Sequence, residues 1–117
     1  MTHVRSQILQ LMEERAYQKA LDILLRAIEK REDAQLCSLA GRCYYLMEDN
    51  ANAIKFLLKA IELEPDRAEY YTKLGMAYES LGETQKAIES YNRALIHYTD
   101  IVFVMKRLET LQNKDAA

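Results

Sequence analysis

Residues 68–100, shifted back by 34, fall on residues 34–66 without a gap, and this internal period limits the chain to architectures built from stacked copies of one unit. Gly75 lands on Gly41, Tyr78 on Tyr44, Ala87 on Ala53, Ile88 on Ile54 and Ala94 on Ala60, while Tyr91 lands on Leu57, also large and apolar. A further shift of 33 carries Ala53 onto Ala20, Leu57 onto Leu24, Ala60 onto Ala27 and Tyr44 onto Leu11. Three units result, at about 1–33, 34–67 and 68–100.

Each unit reads as two helices, A and B. In the third, Tyr71, Leu74, Gly75 and Tyr78 recur at i, i+3, i+4 and i+7, which predicts helix A from about Arg67 to Leu81. Gly82 suits the left-handed position that ends a helix. Thr84 is placed to cap helix B, whose buried face carries Ala87, Ile88, Tyr91, Ala94 and Leu95. Pro65 stops helix B of the second unit, and Asp66 with Glu69 reads as a capping box for the helix that follows. Beyond the third unit a seventh helix is expected to end near Gln112, with a frayed polar tail at Asn113–Ala117. Its stripe of Ile101, Val104 or Met105, Leu108 and Leu111 would cover the open apolar face of the third unit.

The repeated small residues have a packing reason. Antiparallel helices approach to about 8 Å only where one of them presents Gly or Ala. Gly75 is expected to face Ala87, and Gly41 to face Ala53, with Tyr44, Leu57, Tyr78 and Tyr91 filling the volume between.

In these residues the chain resembles the tetratricopeptide repeat family, whose pattern has a large aromatic, Leu-Gly and Tyr in helix A, then Ala, an aromatic, Ala and Pro through helix B. The third unit carries it as Tyr71, Leu74-Gly75, Tyr78, Ala87, Tyr91 and Ala94, with Thr99 in place of Pro. The second keeps Gly41, Tyr44, Ala53, Leu57, Ala60 and Pro65, with Cys37 and Ala40 at the first two places. In the first, Ala16-Tyr17, Ala20, Leu24 and Ala27 fit, whereas Gln7 and Ile8 replace Leu-Gly. The resemblance implies an all-α, right-handed superhelix of three antiparallel helix pairs plus a C-terminal capping helix. It also implies a concave groove, lined by the A helices, that holds an extended peptide or a helix of another protein.

Composition agrees with this reading. Half of the 117 residues are apolar, 29% are charged, and only three are Gly and one Pro, which favours helices over turn-rich folds. Basic and acidic residues number six and six over residues 1–33, four and five over 34–67, and six and seven over 68–117. With no basic block there is no electrostatic footprint for nucleic acid. Cys37 and Cys43, on one helix and roughly 9 Å apart along its axis, read as two buried apolar residues rather than a disulfide. His3 and His97 lack ligand spacing, so neither a metal nor a cofactor is expected. Glu13-Glu14 and Glu48-Asp49 fall at helix ends or turns. No phosphate loop, zinc motif or activated nucleophile is present, so no enzyme is expected. The charges Glu13, Glu14 and Arg15 interrupt the N-terminal apolar run, no stretch suits a membrane span, and a cytoplasmic protein is the expectation.

The repeat register names the residues displayed in the groove. They are Thr2, Arg5, Leu9, Met12 and Glu13 in the first unit, and Gln35, Ser38, Arg42, Tyr45 and Leu46 in the second. The third contributes Glu69, Thr72, Met76, Glu79 and Ser80. Such a mixed surface suits a partner segment with apolar anchors. Co-chaperones of the family clamp a terminal carboxylate with Lys and Asn. Arg5 and Lys73 supply bases near two of those places, but Leu9 and Leu39 hold the Asn places and Glu69 stands where a base is expected. Two readings follow. One is a small adaptor or chaperone that captures a segment of a partner protein. The other is a self-associating scaffold, a homodimer or larger, through Val102 and Phe103, which the covering stripe leaves near the outside. A module of a larger protein also fits.

Overall fold

The structure, a computed structural model, describes residues 2–97 and 101–116. Seven helices follow one another: α1 (Thr2–Glu13), α2 (Tyr17–Lys30), α3 (Ala34–Leu46), α4 (Asn50–Leu63), α5 (Ala68–Ser80), α6 (Thr84–Ile96) and α7 (Ile101–Ala116). The described residues contain no strand. The fold is an all-α right-handed solenoid, in which α1–α2, α3–α4 and α5–α6 are antiparallel pairs and α7 packs on α6. Among the described residues no helix is long and apolar enough to cross a membrane.

Three A-to-B turns repeat one backbone solution. Arg15 (φ 61), Glu48 (φ 64) and Gly82 (φ 77) each take the left-handed conformation, at equivalent points of the three units. Each turn closes with the same bond: Asp49 N–H donates to Tyr44 O at 2.8 Å and Glu83 N–H to Tyr78 O at 2.9 Å, as Ala16 N–H does to Leu11 O at 2.8 Å. Gly82 meets the expectation made for it. Arg15 and Glu48 do the same work with a Cβ, at a conformational cost of about 1 kcal/mol each.

The caps differ from those expected. Asp33 Oδ1 accepts from Leu36 N–H at 3.0 Å and Asp49 Oδ1 from Asn52 N–H at 3.2 Å, so these two aspartates cap α3 and α4. Arg67, not Asp66, occupies the cap position of α5, and Glu69 turns to the Arg67 guanidinium at 3.6 Å instead of closing a capping box. Thr84 is the first residue of α6, one place past the cap, and Glu83 stands at the cap with no side-chain bond to the helix. Pro65 does follow the end of α4, and its carbonyl accepts from Tyr71 OH at 2.9 Å.

Three linked apolar clusters form the core. Ile8, Met12, Ala20, Leu21, Leu24, Ala40 and Cys43 join the first unit to α3. Ala34, Cys37, Ala60 and Tyr70 join the second unit to the third. Tyr71, Ala87, Tyr91 and Ala94 receive Val104, Leu108 and Leu111 of α7. The covering stripe is therefore narrower than expected: Ile101 and Met105 stay exposed, and Val104 alone fills the upper position. Helix α7 also runs to Ala116 rather than stopping near Gln112. No Gly or Pro interrupts 113–116, and Lys114 in the last turn suits the negative end of the helix dipole.

Both cysteines are free and buried. Burial pushes the Cys43 thiol up to about 11 against a weak opposing effect of Arg42, which leaves it a neutral packing group. Thr99, the departure from the family's Pro, lies outside the described residues.

The two glycines of the A helices are closely covered, Gly41 by its expected partner Ala53 together with Leu57, and Gly75 by a partner that was not expected. A Cβ on Gly41 would lie 2.9 Å from Leu57 Cγ and 3.2 Å from the Ala53 carbonyl oxygen. On Gly75 it would lie 2.7–2.9 Å from three atoms of the Tyr91 ring. Gly75 thus makes room for an aromatic ring on α6, whereas Ala87 was the residue expected there.

Candidate functional site

Helices α1, α3, α5 and α7 share one face of the solenoid, and polar contacts tie them side to side. Arg5 Nη1 on α1 donates to Gln35 Oε1 on α3. Lys73 Nζ on α5 donates to Ser38 Oγ on α3 at 3.5 Å. The Arg107 guanidinium on α7 forms an ion pair with Glu79 on α5, with Nε 3.2 Å from Oε1. Glu79 Oε1 also accepts from Tyr91 OH at 2.9 Å, which brings α6 into the same network.

Register positions recur on this face, but not all of them are displayed. Arg5, Gln35, Tyr45, Thr72, Met76 and Glu79 are half-buried, and Leu9, Arg42, Leu46, Glu69, Glu13 and Ser80 are exposed. Met12 is only 7% exposed and belongs to the core, contrary to its expected place in the groove. The small side chains of Ala40 and Cys43 on α3 leave room for it to pack inward. Ser38 is likewise buried, contributing its hydroxyl to Lys73 rather than a side chain to the surface. Glu69 reaches toward Arg67 at the start of α5. Thr72 Oγ1 donates to Ala68 O at 3.2 Å, in its own helix.

The C-terminal end of this face holds a hollow of about 270 Å³, lined by Tyr45, Met76, Glu79, Ser80, Tyr91, Phe103 and Arg107. Phe103 is 36% exposed and leans edge-on against Tyr91, with ring centroids 6.4 Å apart. Val102, its neighbour about 100° round the helix, is 76% exposed on the other flank of α7. The two residues grouped for self-association therefore point to different surfaces.

Arg107 and Phe103 were not read as groove residues, yet the sequence held a signal. Continuing the shift of 34 past residue 100 places Phe103 on Glu69 and Arg107 on Lys73. The seventh helix behaves as one more A helix.

The electrostatics of the face are uneven. Glu79 is neutralised by Arg107, and Glu69 sits with Arg67. Between them, burial pulls the Lys73 ammonium below its ordinary pKa, Glu69 opposes that, and Arg42 lowers it further by repulsion. Arg42 and Lys73 are thus two cations held near each other across α3 and α5.

Comparison with known proteins agrees with the architecture. The tetratricopeptide repeat profile matches residues 35–99. The heat shock protein sti1 homolog of Schizosaccharomyces pombe is 30% identical over 97 residues, which is 82% of this chain and 16% of that protein. The chain spans no more than 16% of the length of that protein and of three further curated relatives. The first TPR of Spaghetti (RPAP3), bound to an HSP90 peptide, superposes with a TM-score of 0.93 over 99% of this chain and 93% of that one, at 16% identity. The Yersinia enterocolitica type III secretion chaperone SycD, in complex with a peptide of the translocator YopD, gives 0.93 over 97% and 93%, at 14% identity. At such identities the likeness is one of fold. With the profile match over more than half its length, and the repeated Gly, Tyr and Ala positions packed as described, the chain belongs to the tetratricopeptide repeat family.

Proposed function

We propose that the face shared by α1, α3, α5 and α7 holds a segment of another protein, so that the chain acts as a small adaptor or chaperone. The observation that carries this is the continuity of the face: contacts from Arg5 to Gln35, Ser38 to Lys73 and Glu79 to Arg107 run across four helices and end in a hollow. Rigid helices hold its side chains in place before a partner arrives, which lowers the ordering cost of binding. Two structures of this fold, RPAP3 and SycD, are complexes with peptides, which supports the reading.

An internal segment is favoured over a terminal carboxylate. Leu9 and Leu39 stand where asparagine amides would be needed, and Leu39 packs against the core. Neither offers a donor to a carboxylate.

The test is a pair of substitutions on the face. Arg42→Glu with Tyr45→Ala is expected to abolish capture of peptides selected from a phage-displayed random library on the full chain, with helicity by circular dichroism unchanged. Undiminished capture would show that peptides bind elsewhere.

A second reading, self-association, rests on the flank of α7 that carries Ile101, Val102 and Met105, all exposed. Light scattering at two concentrations about tenfold apart is expected to show a dimer on this reading, and a constant monomer mass would remove it.

A further inference from the structure

We propose that a second hollow, between α4 and α6 on the side of the B helices, is a docking site for an aromatic side chain, Phe or Tyr, of a partner protein. It shares no lining residue with the hollow of the groove face and does not rest on the groove-binding reading.

The repeat itself supplies the template. The shift of 34 places Tyr78 on Tyr44 and Ser90 on Phe56. In the second unit the Phe56 ring stacks on Tyr44, with centroids 5.5 Å apart and planes 22° apart, and both pack against the core that joins the first unit to α3. In the third unit Tyr78 keeps its place, but the ring that would lie over it is missing. The Ser90 hydroxyl donates to Lys86 O at 2.9 Å in its own helix, and the side chain is too short to replace a ring. Tyr71 and Leu74, which stand where the second unit has Cys37 and Ala40, take up part of the space. A hollow of about 360 Å³ remains, walled by Leu58, Ile61, Tyr71, Leu74 and Tyr78. An apolar cavity of roughly 150 Å³ already takes benzene.

Charge complementarity chooses an aromatic occupant. Lys86, Glu89 and Arg93 are the charged groups at the hollow. Lys86 Nζ already stands 5.7 Å from the centre of the Tyr78 ring, as Lys55 Nζ does from that of Phe56. A second ring offers negative faces to Lys86 and Arg93 and a positive edge to Glu89. An aliphatic side chain gains nothing from these charges. A carboxylate would meet Glu89, a base would meet Lys86 and Arg93, and either would give up its water shell against apolar walls. A second copy of the chain has no free ring to insert. Among the described residues Phe103 is the only exposed aromatic, and it leans on Tyr91.

The experiment follows the Ile and Leu methyl groups of the full chain by NMR while N-acetyl-phenylalanine amide, and separately N-acetyl-leucine amide, is added. Saturable shifts are expected at the Leu58, Ile61 and Leu74 methyls with the phenylalanine probe, and an affinity about fivefold or more lower with the leucine probe. Ser90→Phe returns the ring of the second unit to the third. It is expected to raise Tm by about 5 °C and to abolish the shifts, whereas Arg42→Glu with Tyr45→Ala leaves them intact. A folded Ser90→Phe protein that still binds the probe overturns the proposal. Leu58→Glu, at a position 45% exposed and therefore tolerant of a charge, is the second variant. It is expected to weaken the probe about fivefold with helicity retained, and full retention of binding overturns the site independently of Ser90→Phe. Equal affinity for the two probes, shifts confined to other methyls, or no saturable shift overturn it as well. Shifts at these methyls that grow with protein concentration, without probe, would give the hollow to a second copy instead.

Discussion

Gly75→Val is expected to destabilise the protein by about 2–3 kcal/mol, lowering Tm by roughly 10 °C for a chain of this size. Intrinsic helix propensity points the other way, since a helix-interior Gly costs up to about 1 kcal/mol relative to Ala. The sign is therefore diagnostic. The first added carbon would sit 2.7 Å from Tyr91 Cε1 and 2.8 Å from Cδ1, inside contact distance of a ring that is itself fully buried. That ring has nowhere to retreat: one side meets Gly75, another meets Phe103, and its hydroxyl is held by Glu79. Either α5 and α6 separate or the ring leaves its rotamer. Thermal denaturation followed by circular dichroism measures the effect, and Gly75→Ala should show a smaller loss in the same direction. If both variants equal or exceed the parent in Tm, helix propensity outweighs the close approach and the packing account of this glycine fails.

Gly75 also shows how far the sequence could be read. Its place in helix A, and the need for a close approach there, follow from spacing and size. Its partner does not, because a period of 34 fixes which residues are equivalent but not which atoms touch. Ala87 and Tyr91 lie on the same stripe of α6, one turn apart, and only the rise of one helix past the other chooses between them. Met12 missed for a related reason. Register assigned it to the displayed face with Tyr45 and Glu79, but the Ala40 and Cys43 side chains of α3 are small enough to let a flexible Met turn inward.

The turns and caps were legible only where residue type advertises conformation. Gly82 announces a left-handed residue, while Arg15 and Glu48 adopt the same conformation under side chains that rarely do so. The aspartates at 33 and 49 cap their helices by contacts that any Asp three residues before an open N–H can make. Asp66 has the same composition nearby but is followed by Arg67 at the cap itself. Of the candidate face, the positions on α3 and α5 were accessible from the repeat. Phe103 and Arg107 were hidden because α7 was treated as a cover for the core, although it carries the repeat register onward.

That double duty makes Val104→Asp the second substitution of large effect. Val104 is fully buried in the cluster that holds Tyr71, Tyr91 and Ala94, which contains no cation and whose Tyr71 and Tyr91 hydroxyls already donate to Pro65 O and Glu79. Leaving a charge unpaired in such a place costs about 3–5 kcal/mol. The protein escapes part of that cost by releasing α7, because a terminal helix of a solenoid contacts only its neighbours. The expected result is local: hydrogen exchange measured by mass spectrometry should quicken throughout α7 and along the face of α6 it covered, while α1 to α4 keep their protection. Binding of the selected peptides should fall together with that protection, since Phe103 and Arg107 leave with the helix. Uniform loss of protection along the chain would mean that α7 is integral to one cooperative unit rather than a detachable end. Unchanged protection would mean that Val104 does not seat it. Peptide binding that survives the release of α7 would confine recognition to α1, α3 and α5.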